Sequence, residues 1–170
     1  MSLQTATPQA YVQNKTAAAG SSFYYAFLFL PQQQRAAITA FYAFCREVDD
    51  VVDEISETEI AAAKLSWWAN EVRQAYAGTP THPVMQALMP LAERFGIEDR
   101  HLFAVIEGCH MDLHVQRYAC REQLYDYCHL VAGIVGEVSA RIFGQSQPQT
   151  TEYAHRLGRA LQLTNIIRDV

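Results

Sequence analysis

Two clusters of residues have the types and spacing to do chemistry. The first is REVDDVVDE, residues 46–54, which puts five acids between Glu47 and Glu54. On a helix, residues three and four apart share a face, so Tyr42, Arg46, Asp49 and Asp53 form one line, with Asp50 beside it. Like charges at that spacing weaken a helix, and negative charge at its C-terminal end opposes the dipole. A cation placed there relieves both costs. Hard carboxylate oxygens with spare room suit Mg²⁺, which keeps several waters and bridges to phosphates. A solvated acidic helix end is the plainer alternative, and spacing alone leaves it open.

The second cluster lies at the end of the sequence. Gln162, Asn165 and Asp169 recur at spacings of three and four, with Arg168 adjacent. An amide, a carboxylate and a guanidinium converge there, although an ordinary polar helix face would also fit. Between the clusters, residues 127–136 (YCHLVAGIVG) put Gly133 and Gly136 inside a helical pattern, each costing about 1 kcal/mol against alanine. Close helix packing and a kink that opens space for an apolar ligand both explain them. His110 and His114 flank Asp112 at a metal-like spacing but read more simply as surface polar residues. Trp67 and Trp68 read as core and boundary packing.

The elements that must position these residues are helical, since no stretch shows clean alternation. Ser21 or Ser22 caps a short helix after Gly20. Pro31 opens a long one running to about Glu54. Others are expected from about Glu57 to Tyr76, from His82-Pro83 to near Gly96, from Glu98 to about Tyr118, from Arg121 to about Phe143, and from near Pro148 onward. One all-α domain over residues 1–170 is the expectation. Residues 166–170 carry no helix stop, so the natural chain is expected to continue past Val170.

Composition narrows the function classes. The 170 residues are 50% apolar and 18% charged, with net charge −5, so an ordinary globular core is expected and nucleic acid is not a partner. The longest strongly apolar run, residues 23–30, is far short of the ~20 residues that cross a bilayer. No signal peptide is read at the N-terminus. Cys45, Cys109, Cys120 and Cys128 form no CxxC pair and read as free thiols of a cytoplasmic protein.

Taken together, SSFYYAFLFLP (21–31), AFCREVDDVVDE (43–54), YCHLVAGIVG (127–136) and LQLTNIIRDV (161–170) resemble the squalene/phytoene synthase family, in order and over nearly the whole chain. Residues 23–54 and KLSWW (64–68) are most similar to the bacterial presqualene diphosphate synthases of the hopanoid pathway. The resemblance implies the N-terminal portion of an all-α isoprenoid (terpenoid) synthase fold. It implies Mg²⁺, with Mn²⁺ as a substitute, on Asp49, Asp50 and Asp53 in a first motif and on Asn165 and Asp169 in a second motif that is incomplete here. Arg46 and Arg168 match diphosphate-binding arginines. Ser22, Phe23, Ala132, Val135 and Gln162 match the lining of the diphosphate pocket and prenyl tunnel, while Tyr42 and Tyr127 match catalytic positions. Where some relatives carry a basic residue or histidine, this chain has Ala19-Gly20.

The implied reaction is head-to-head condensation of two prenyl diphosphates: farnesyl diphosphate to presqualene diphosphate or squalene, the latter with NADPH, or geranylgeranyl diphosphate to phytoene. A non-catalytic helical subunit or an interaction domain is the rival reading. Peripheral membrane contact is compatible with such substrates. The 170-residue piece alone is expected to be inactive and to self-associate through uncovered apolar helix faces.

Overall fold

The computed structural model describes residues 6–115, 117–145 and 147–168. Among them there are helices and no strands. The long helix α3 (Gln32–Glu54) organises the rest. Its face of Ala37, Ile38, Phe41, Phe44, Val48 and Val51 is buried, and α1 (Pro8–Ala18), α4 (Thr58–Tyr76), α5 (Pro83–Phe95) and α6 (Asp99–His114) pack around it. Trp68 of α4 sets its ring edge-on to Phe44, centroids 5.6 Å apart. Burying such a side chain contributes about 1.5–3 kcal/mol. Trp67 beside it stays 43% exposed, the core-and-boundary split expected of the pair.

The stops are those the sequence signals. Gly78 and Gly96 adopt positive φ after α4 and α5, a conformation glycine takes without a Cβ penalty. Ser21 accepts the Phe23 N–H and caps α2 (Ser22–Phe27). Buried Glu71 accepts the backbone N–H groups of Thr81 and His82 at 2.7 Å, together with the Thr81 hydroxyl. A carboxylate thus holds the start of α5, where the helix dipole favours it.

Three features depart from the expectation. Helix α1 was not foreseen: its sequence is polar and only Val12 and Thr16 are buried, so periodicity is faint. Its signal is Thr7-Pro8, a cap followed by a first-turn proline. Helix α6 ends at His114 rather than near Tyr118, since Val115 turns extended (φ −109°, ψ 91°) and the Tyr118 ring packs on Tyr127 at 5.4 Å. The expected helix over 121–143 is three pieces: α7 (Arg121–Cys128), a π-helical turn (His129–Gly133) and α8 (Ile134–Ile142). Helix α9 (Pro148–Arg168) then packs on the π turn and α8.

The glycines explain that last contact. A Cβ on Gly158 would collide with the Ala132 carbonyl, and one on Gly136 would stand 2.6 Å from the Ala154 carbonyl oxygen. Gly108 of α6 has no room for a Cβ against Val131. The π turn is therefore held backbone-close between α6 and α9. Close packing is thus what these glycines serve, and the helix changes register at the π turn beside them.

Candidate active site

The last turns of α3 carry the first acidic cluster. Arg46 lies in the same turns and forks between two aspartates, Nη1 to Asp49 Oδ2 and Nη2 to Asp50 Oδ1, both at 2.6 Å. Asp50 is also held by Lys15 of α1 at 2.7 Å, and Lys15 reaches Glu47 at 3.3 Å. Both Asp50 oxygens thus face cations already. Asp49 is half-exposed and Asp53 exposed. Lost hydration and then repulsion from Asp53 raise the Asp49 carboxyl above its ordinary value, against the pull of Arg46. Tyr42, one turn earlier, sets its ring edge-on to Phe27 at 5.9 Å.

A third carboxylate joins them from α6. Lost hydration, followed by the fields of Asp49 and Asp53, pushes Asp112 up to about 6, while a hydrogen bond from Tyr127 opposes the rise. That bond runs from the Tyr127 hydroxyl to Asp112 Oδ2 at 3.0 Å. Tyr127 is buried, and burial followed by Asp112 lifts its phenol far above the ordinary value, so it stays a neutral donor. Sequence reading noted Asp112 only as the residue between His110 and His114. Its partnership with Tyr127, fifteen positions on, follows from α6 packing against α7 and the π turn. The two histidine rings merely lie side by side, centroids 4.9 Å apart.

The second cluster is less assembled. Gln162 is half-buried on α9, whereas Asn165 and Arg168 are exposed. Asp169 lies outside the described residues, as does the side chain of Ser22. Phe23 is exposed, Val135 packs on the core, and Ala132 lends its backbone to the Gly158 contact. A cleft of about 510 Å³ opens between α1, α2, α3 and α5, lined by Val12, Phe27, Leu28, Arg35 and Leu91. Another of about 420 Å³ lies beside Lys64, Trp67 and His82. Neither is lined by Asp49, Asp53 or Asp112.

Among the described residues, no three acid, histidine or cysteine side chains stand close enough to cage a metal ion. The donor chemistry nevertheless fits a loosely held divalent cation. Asp49 and Asp112 are hard oxygen donors whose carboxyls are raised first by lost hydration and then by the neighbouring aspartates, and a cation would relieve the second cost. Mg²⁺ needs few protein ligands when waters and phosphate supply the rest. The site can therefore gather a cation and an anion at the end of α3, next to a neutral buried phenol.

Comparison with known proteins identifies the family and the fold. The family model described as squalene/phytoene synthase matches residues 16–170. A presqualene diphosphate synthase of Rhodopseudomonas palustris is 40% identical over 97% of this chain and 59% of its own. A 15-cis-phytoene synthase of Synechococcus elongatus is 35% identical over 91% of this chain and 54% of its own. The crystal structure of squalene synthase HpnC from Alicyclobacillus acidocaldarius superposes with a TM-score of 0.84 at 29% identity, over 93% of this chain and 59% of that one. The chain thus spans rather more than half the length of these relatives. Its architecture is the N-terminal portion of the isoprenoid synthase fold, and with a family match over almost its whole length, the chain belongs to the squalene/phytoene synthase family.

Proposed function

We propose that the protein condenses two molecules of farnesyl diphosphate head to head, giving presqualene diphosphate and, where NADPH is used, squalene. The observation that carries this reading is the acidic end of α3, where Asp49 is paired with Arg46 and the fields of Asp49 and Asp53 reach Asp112, the acceptor of the Tyr127 hydroxyl. Names of relatives on the presqualene side support the C15 substrate. The phytoene synthases among the relatives keep geranylgeranyl diphosphate as the alternative.

In this reading Asp49 and Asp53, with Asp112, Asn165 and Asp169, hold Mg²⁺ or Mn²⁺. The ion neutralises the departing diphosphate when bound. Arg46 leaves its aspartates to grip diphosphate oxygens, and Arg168 does so from α9; a guanidinium fork matches that geometry. The C1–O bond of one substrate breaks and the electron pair leaves with diphosphate. The C2=C3 bond of the second substrate attacks that C1, a proton is lost from the attacked carbon, and the cyclopropane closes. Two farnesyl diphosphates thus yield one presqualene diphosphate, one diphosphate and one proton. Tyr127 takes that proton on its oxygen as its own passes to Asp112. Phe23, Ala132 and Val135 exclude water from the cation, the Tyr42 ring presents its face to it, and Ser22 and Gln162 orient the diphosphate.

The test uses the complete gene product. Incubation with each prenyl diphosphate, with and without NADPH, should consume farnesyl diphosphate only with Mg²⁺ or Mn²⁺. Asp49→Ala should lower turnover by at least ~10³-fold, within the range ascribed to preorganised electrostatics, while retaining helicity. Undiminished turnover in EDTA would rule the mechanism out, and consumption of geranylgeranyl diphosphate alone would move the protein to the phytoene branch. A non-catalytic subunit would show no turnover and no Mg²⁺-dependent rise in Tm with a substrate analogue.

A further inference from the structure

We infer that His155 is a positioning residue, whose bond to Glu137 fixes the register of α9 and so places Gln162 and Asn165 toward the substrate. The inference rests on the role proposed above for the second motif.

Glu137 of α8 is 6% exposed. Its Oε1 receives groups from two helices: Arg141 Nη2 at 2.6 Å from α8, and His101 Nε2 at 3.3 Å and Arg100 Nη2 at 3.6 Å from α6. The His101 tautomer follows from its other nitrogen. Nδ1 accepts the Glu98 N–H at 2.9 Å, so Nε2 carries the proton and donates to Glu137. The second oxygen, Oε2, takes His155 Nε2 of α9 at 2.9 Å. One carboxylate thus ties α6, α8 and α9, and α6 is the helix that carries Asp112.

The tie adds a polar contact to an interface made otherwise by backbone-close glycines and by Arg159 over the Tyr125 ring of α7 at 4.9 Å. Gly136 brings α8 against the Ala154 backbone of α9, and Gly158 brings α9 against the Ala132 backbone of the π turn; these glycines set how close the helices come, and the polar contact adds a fixed partner for His155. His155 shares its helix face with Gly158, Gln162 and Asn165, three, seven and ten residues on. A turn of α9 about its axis would therefore move all four together. The His155 ring also lies against His129 of the π turn, centroids 4.9 Å apart. Both imidazole Nδ1 atoms stand 3.0–3.1 Å from where a Gly133 Cβ would be, so a side chain there would press on both rings. His155 Nδ1 is buried without a partner. The ring accepts that cost because its orientation is chosen by Nε2 and Glu137, not by Nδ1.

Three variants separate positioning from mere stability. His155→Ala removes the donor. His155→Gln keeps an N–H at about the reach of Nε2. His155→Asn is too short. In the complete gene product, loss of the tie should raise both the substrate KM and the half-saturating Mg²⁺ concentration about tenfold, the low end for a lost outer-shell partner. His155→Gln should restore both to within about threefold, and His155→Asn should not. The independent readout needs no ligand: nitroxide labels at exposed Ser56 and Thr164, with exposed Cys120 replaced by serine. The distance distribution should be narrow for wild type and His155→Gln, and broad or shifted for His155→Ala and His155→Asn. Equal distributions in all four would overturn the inference, whatever the turnover. So would a loss of Tm with KM and Mg²⁺ dependence unchanged. A label distance that responds in a protein without prenyltransferase activity would leave the tie standing and remove the proposed function instead.

Discussion

Tyr127 and Asp112 are joined by a hydrogen bond at the residue scale, and the proposed reaction uses them as a unit. The phenol is held neutral by burial, and its hydrogen bond points at a carboxyl raised to about 6, so Asp112 can take the phenol proton only as the phenol oxygen receives another from the substrate. Tyr127→Phe and Asp112→Asn should each lower kcat by ~10²-fold, typical of a lost proton-transfer partner. The double variant should lose little more than either single one, since residues that act together are not additive. Initial rates for the three proteins decide it, and a product of the two single losses would mean they work separately. The placement of Arg46, Asp49 and Asp53 was legible because they are neighbours on one helix, where spacing alone sets the face. Asp112 was not, because its partner Tyr127 arrives from another helix by way of an irregular segment. Asp50 illustrates the same limit. Its place in an aspartate-rich run suggests a ligand, yet Lys15, from a helix whose own pattern is faint, holds one of its oxygens.

At the scale of elements, the boundaries came through where a glycine, proline or serine marks them. The π turn did not, because an added residue within a helix leaves the composition of YCHLVAGIVG unchanged. What the sequence does carry there is small residues, and the structure gives each a contact. Gly158→Ala would drive a Cβ into the Ala132 carbonyl and Gly108→Ala into Val131. Overpacking of this kind costs about 1–3 kcal/mol, or about 2–4 °C in Tm per kcal/mol for a chain of this size. Ser66→Ala on the exposed side of α4 should stay within about 0.5 kcal/mol of wild type. Thermal unfolding followed by circular dichroism measures all three, and a Gly158→Ala protein as stable as wild type would mean α9 can lift off without penalty.

Across the whole molecule, histidines tie stability to pH. Lost hydration holds buried His101, half-buried His82 and exposed His129 below their ordinary 6.5, and solvent screening leaves His129 the least weight. Unfolded, they take up protons near that value; folded, they do so only at lower pH. Unfolding is thus accompanied by proton uptake, and stability is lost as pH falls below 6.5. Glu137 adds a second loss. Burial pulls its carboxyl up, but Arg141 and His101 outweigh that and hold it below its ordinary 4.5, so its contribution fades as pH drops below that value. The raised carboxyls of Asp49 and Asp112 act in the opposite sense, since the folded state protonates them first; with both changed to asparagine, Tm should fall on acidification below 6.5, and a level Tm down to about pH 5 in that variant would contradict the histidine assignment.

The same molecule exposes more apolar surface than its core requires. Tyr153, Leu157 and Leu161 recur every fourth residue along α9, with exposures of 64%, 44% and 50%, and Phe29 after α2 is 90% exposed. Relatives of this chain are longer by roughly two-fifths of their own length, so a 170-residue piece has less of its own chain with which to cover such a stripe. A second copy offers an equivalent one, and two stripes of this kind can meet across a two-fold axis, the commonest symmetry of soluble oligomers. The 170-residue chain should therefore run above its 19.2 kDa monomer mass in light scattering. Leu157→Glu combined with Leu161→Glu should return it to monomer with little loss of Tm, because both side chains are exposed and charge there opposes only the contact between copies. A monomeric wild type would remove the association, and a double variant that stays associated would move the contact to the exposed side chains around α2.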